Sequence, residues 1–114
     1  MTISFQDITE NLRRISISGR LDIAGTDEIA TTFAALAASA KRRVVVDLSA
    51  VSFLASIGIR ALIANAKALQ NRGGKMVLFV GDNPPVRMTL EITGIDALIP
   101  MFSDAAEAEK AACA

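Results

Sequence analysis

The chain has 114 residues, enough for one globular domain with its own core and too few for two. Twelve Lys and Arg balance twelve Asp and Glu, so no positive field draws it onto phosphate backbones or anionic lipid, and nucleic acid is not an expected partner. With no histidine and a single cysteine, Cys113, the sequence excludes Cys and His zinc sites, Ser-His-Asp triads and internal disulfides.

The opening MTISFQDITE lacks the basic start and apolar run of a secretory signal, and the cysteine usage suits a reducing cytosol. No apolar stretch approaches the ~20 residues that span a bilayer, and the longest, Ile29 to Ala40, is interrupted by Thr31, Thr32 and Ser39. A soluble cytoplasmic protein without direct membrane insertion is the expectation.

In chain order, Ile3 and Phe5 alternate with Ser4 and Gln6, and Ile15 and Ile17 with Ser16 and Ser18, which predicts a β-hairpin whose second strand ends at Gly19. The apolar period then changes to Ile29, Phe33, Leu36, Ala37 and Ala40, a first helix with Asp27 and Glu28 in its opening turn. The run Val44, Val45, Val46 and Leu48 predicts a short central strand covered on both faces, followed by a loop reading SAVSFLASIG. Ile59, Leu62, Ile63, Ala66 and Leu69 mark a second helix that ends at Gly73 and Gly74. Met76 to Val80 is another buried strand. Asn83 and Pro84 read as the cap and first residue of a third helix that runs to Gly94. Ala97 to Phe102 is a short apolar edge segment, and Ser103 and Asp104 introduce an Ala-rich terminal helix.

The order β-β-α-β-α-β-α-β-α is that of an α/β fold, a mixed and mostly parallel sheet with an N-terminal hairpin and about four helices. Sites on such sheets gather at the carboxyl ends of the strands, which directs attention to the junction before the second helix.

At that junction VVVDLSAVSFLASIGIRAL resembles the central segment of STAS domains, in particular bacterial anti-sigma factor antagonists. ISGRLD at Ile17 to Asp22, NRGGKMVLF and PPVRMTLEITGID extend the likeness over nearly the whole chain, so that residues 1–114 read as one STAS domain. The resemblance implies a serine, here Ser56, that is phosphorylated by a partner acting both as anti-sigma factor and as ATP-dependent serine kinase. A metal-dependent serine phosphatase would restore the unmodified form. It places Asp22, Ala55, Ser56, Ile57 and Gly58 on the partner-facing surface, and Arg60, one turn into the second helix, is a further candidate contact beside Ser56 because arginine is a common interface anchor. Two positions depart from the family pattern: Ala55 stands where Asp is usual and Ile57 where Ser or Thr is usual, whereas Gly58 is kept. Those departures are also compatible with a STAS scaffold or an accessory subunit of a membrane transport system, in which phosphorylation plays no part.

Each of these residues also has a plainer reading. A serine before a helix serves equally as a cap, and Arg60 as a surface residue. Gly73, Gly74 and Lys75 resemble the end of a phosphate-binding loop, but the following Met76 begins a strand. Lys41, Arg42 and Arg43 complement a helix C-terminus. Met88 and Met101 read as core or rim filling. Nothing near Cys113 would activate its thiol. Asp22, Asp47 and Asp82 are the carboxylates available to a hydrolase, but they form no recognisable acid–base pair, so neither catalysis nor a bound metal or cofactor is expected.

Overall fold

A computed structural model describes residues 2–38 and 43–114. Side-chain alternation along the central strand decides the layers. In β3 (Arg43–Leu54), Val44, Val46 and Leu48 pack into one apolar cluster and Val45 into another on the opposite face. All four are essentially inaccessible to water, and such a strand must be covered on both sides. β1 (Thr2–Asp7), β2 (Leu12–Leu21), β3, β4 (Lys75–Phe79) and β5 (Met101–Phe102) lie side by side in chain order. β1 runs antiparallel to β2, and the remaining pairs are parallel.

The three crossovers carry α1 (Ile23–Ala37), α2 (Ser56–Asn71) and α3 (Pro84–Thr93) to one face. There Phe33, Leu62, Leu69 and Leu90 pack against Ile15, Val46 and Leu78. Side chains buried this fully contribute about 1.5–3 kcal/mol each. The other face is covered by α4 (Ala105–Cys113), whose Ala108 and Ala112 lie on Leu12, Val45 and Val77. Alanines suit that contact because they let the helix approach the sheet closely. Asp104 caps α4, accepting from the Glu107 amide at 3.0 Å.

The hairpin, the four helices and the ends at Gly73 and Gly94, both with positive φ, match the reading of the sequence. Several boundaries do not. β2 passes through Gly19 to Leu21, because Gly19 at φ +92° lets the strand absorb a register shift against β3. β3 continues beside it with one extra residue at each of two register shifts, so most of the segment expected to be a loop is strand, with Phe53 opposite Arg20 and Leu54 opposite Leu21. α1 begins four residues before Asp27, because Asp22 caps it and accepts from the Gly25 amide at 2.8 Å. Asp27 and Glu28 therefore lie beyond the first turn. Ala40, Lys41 and Arg42 lie outside the described residues.

Asn83 precedes α3 but makes no side-chain cap. Its Nδ2 donates instead to the carbonyls of Val51 at 2.7 Å, Leu48 at 3.1 Å and Ser49 at 3.3 Å, fastening the start of α3 to β3. Met101 packs on the core as expected, whereas Met88 is exposed on the outer side of α3. Phe5, expected on the same face as Ile3, is half exposed and lies under the Arg13 guanidinium, 4.4 Å from the ring centre.

Candidate functional site

β2 and β3 end together, so the chain enters α1 and α2 at neighbouring points, joined by a 2.9 Å hydrogen bond from the Ala55 amide to the Leu21 carbonyl. Two glycines permit this closeness. A Cβ on Gly25 would lie 2.0 Å from the Arg20 carbonyl oxygen, and one on Gly58 would lie 2.9 Å from Leu54 Cδ1 and 3.1 Å from Leu21 Cβ. Gly58 thus seats α2 on the strand ends, which is a packing reason for a glycine at that position.

Asp22 stands at the mouth of α1. The Gly25 amide holds its carboxyl below the usual carboxylate range, assisted by the Arg20 guanidinium 3.4 Å away and opposed by partial desolvation. Arg20 in turn lies over the Phe53 ring, 4.5 Å from its centre. At the mouth of α2 the cap position belongs to Ala55, and no side chain caps the helix there. Ser56 is the first helical residue and is exposed, so the capping role open to it in the sequence is not the one it has. Arg60 follows on the same side of the helix, four residues on, also exposed, and Ile57 is 36% exposed. Of the six positions expected at this surface, the structure brings all to the paired starts of α1 and α2. Ser56, Ile57 and Arg60 are open to solvent, Asp22 and Ala55 are half-buried, and Gly58 is buried beneath them.

Sequence reasoning missed the surroundings. Between α1 and α2 lies a groove of about 580 Å³, lined by Ile23, Ala24 and Ala30 from α1 and by Ile57 and Ala61 from α2, with Asp27 of α1 and Arg60 of α2 also in its lining. Ile23 is 73% exposed and Phe53 is 42% exposed. Ile23 falls off the Ile29, Phe33, Ala37 stripe, and a large aliphatic with no core role was the available signal.

The other carboxylates are engaged elsewhere. Asp47 accepts from Arg14 at 3.2 Å and from the Ser49 hydroxyl at 2.6 Å, on the α4 face of the sheet, while Asp82 is exposed before α3. Among the described residues no three of His, Cys, Asp or Glu form a group that could hold a metal, and no helix is long and apolar enough to cross a membrane. Cys113 is exposed near the end of α4.

Comparison with known proteins places these features in a family. The family model for the STAS domain matches residues 6–108. BtrV of Bordetella bronchiseptica, provisionally named an anti-sigma factor antagonist, is 31% identical over 85 residues, covering 75% of this chain and 72% of that protein. The crystal structure of an anti-sigma factor antagonist from Mycobacterium paratuberculosis superposes with a TM-score of 0.84 at 27% identity, over 99% of this chain and 94% of that one. An anti-sigma-factor antagonist (STAS) domain protein from Planctomyces limnophilus gives 0.81 at 27% identity, over 98% of each chain.

Proposed function

This chain belongs to the STAS domain family, and we propose that it is a cytoplasmic anti-sigma factor antagonist controlled by phosphorylation of Ser56. In its unmodified form it binds an anti-sigma factor that is also a serine kinase and thereby frees a sigma factor. The kinase transfers the γ-phosphoryl group of ATP to Ser56 Oγ: the new O–P bond forms as the bond to ADP breaks, and the hydroxyl proton passes to a base of the kinase. A metal-dependent phosphatase hydrolyses the ester and restores binding. The chain itself performs no catalysis.

The observation that carries this reading is the exposed Ser56 at the first position of α2, one residue after the Ala55 amide that bonds the Leu21 carbonyl next to Asp22, and flanked by exposed Ile57 and Arg60. Phosphorylation adds about −1.5 to −2 charges. At a helix N-terminus that charge is favourable by about 0.3–1 kcal/mol, so the domain keeps its fold. A partner pressed against the same spot would instead have to desolvate the phosphate, which opposes binding.

The test is incubation with the ATP-dependent anti-sigma factor kinase of the same organism, followed by intact mass and peptide mapping. One phosphate per chain is expected, absent in Ser56→Ala. Modification at another residue, or none, overturns the proposal. The departures at Ala55 and Ile57 favour a second reading, in which the partner is a membrane-transport ATPase and Ser56 is never modified; affinity capture with the unmodified chain separates the two.

A further inference from the structure

We propose that the groove between α1 and α2 receives the apolar ridge of an amphipathic helix from the anti-sigma partner, with a basic side chain of that helix meeting Asp27 and an acidic one meeting Arg60. This rests on the partner-switching reading above and specifies how the partner is held.

The walls are apolar and the alanines keep them low, the shape into which a helix lays its hydrophobic face. Ile23 and Ile57 stand at its mouth, next to Ser56, with Ile23 largely in water. Thr26, which contributes to the same lining, buries a hydroxyl that no group among the described residues satisfies, whereas buried polar atoms are ordinarily paired. Charge selects the occupant. Asp27 lies on the α1 side and Arg60 on the α2 side, and among the described residues neither is in a salt bridge. Opposite signs on opposite sides suit a ridge flanked by one basic and one acidic row, and they set its direction. An uncharged small molecule would answer neither charge. A second copy of this surface would bring a groove against a groove, with no ridge to fill it.

The same geometry links the groove to the switch. Ser56 and Arg60 are four residues apart on one helix, so a phosphate on Ser56 has Arg60 within reach as its counterion. Modification then withdraws from the α2 side the cation that the partner's acid requires.

The experiment measures affinity of the full-length chain for the anti-sigma factor kinase that modifies Ser56, by titration calorimetry, with circular dichroism confirming the fold of each variant. Ile23→Asp and Ala30→Glu, both at exposed positions, are expected to weaken binding at least tenfold, and so is the net-neutral double exchange Asp27→Lys with Arg60→Glu. Met88→Asp, at an exposed position on α3, is expected to change it less than twofold. If the groove variants bind like the wild type while Ser56 is still phosphorylated, the groove proposal falls and the switching function stands. If the wild type binds no anti-sigma factor, both fall. If the groove variants abolish self-association in sedimentation without altering partner affinity, the occupant is a second copy and the proposal is overturned.

Discussion

The α-carbon of Gly25 faces the carbonyl oxygen of Arg20 so closely that a methyl group added there would lie 2.0 Å from it. The first turn of α1 is folded back onto the end of β2, and within it the Asp22 carboxylate accepts from the Gly25 amide at 2.8 Å. Gly25→Ala is therefore expected to lower unfolding stability in urea by about 1–3 kcal/mol or more, since the obstacle is backbone that cannot swing aside. Gly94→Ala, at φ +74° with nothing within 4 Å of the new methyl, meets only backbone strain of about 1 kcal/mol. Equal losses for the two variants would contradict the proposed collision.

Asn83 joins α3 to β3 through one amide group that donates to three carbonyls. Asn83→Ala leaves those acceptors short of a donor, and a cost of about 1–3 kcal/mol is expected. Asn83→Asp should cost more, because it turns a carboxylate oxygen toward carbonyl oxygens. Chemical denaturation of both variants checks the order; an Asp variant as stable as the Ala variant would count against the bonding described.

Ser56 occupies the first helical position without serving as the cap. Ser56→Ala should change stability by less than about 0.5 kcal/mol while removing the phosphate acceptor. Ser56→Asp should leave the melting temperature unchanged or slightly raised, through the helix dipole, and weaken the complex with the anti-sigma factor. A large drop in melting temperature for either variant would show a structural role instead.

The carboxyl of Asp22 is held below its ordinary value of 3.8, chiefly by the Gly25 amide. For an acid whose folded pKa is depressed, the stabilisation is present above the unfolded pKa and disappears as pH falls through the folded one. The gap in melting temperature between wild type and Asp22→Asn should thus be widest at neutral pH and close progressively below about pH 4. A gap independent of pH would mean that the charge of Asp22 adds nothing beyond what an amide cap supplies.

The hydroxyl of Thr26 is buried without a partner among the described residues. Thr26→Val keeps the side-chain shape and removes the unpaired group, so a gain of about 1 kcal/mol is expected. The measurement is thermal or urea unfolding of the free chain; a loss of stability would show that the hydroxyl is in fact satisfied.

Local pattern was enough for the element order. The branched run from Val44 to Leu48 marked a strand buried on both faces, and glycines at 73 and 94 marked helix ends where the backbone turns left-handed. It failed where pairing altered the pattern. After Leu48 the buried positions of β3 are Val51 and Leu54, three residues apart, because register shifts against β2 break the two-residue alternation. Such a stretch matches no simple template and reads as a loop. Gly25 lies inside α1, where its lack of a side chain answers to the Arg20 carbonyl on a separate strand.

At the candidate site, Asp22, Ser56, Gly58 and Arg60 were legible because they sit in short contiguous motifs. The groove was not, since it joins residues 23–30 to residues 57–61 across an entire crossover. The sequence by itself determined the α/β order, the apolar faces and the hydroxyl at the start of α2, all of which follow from interactions within a few residues. Only the tertiary structure decided that two helices leave an apolar channel between them. Strand pairing and helix packing, which act between distant segments, set that separation.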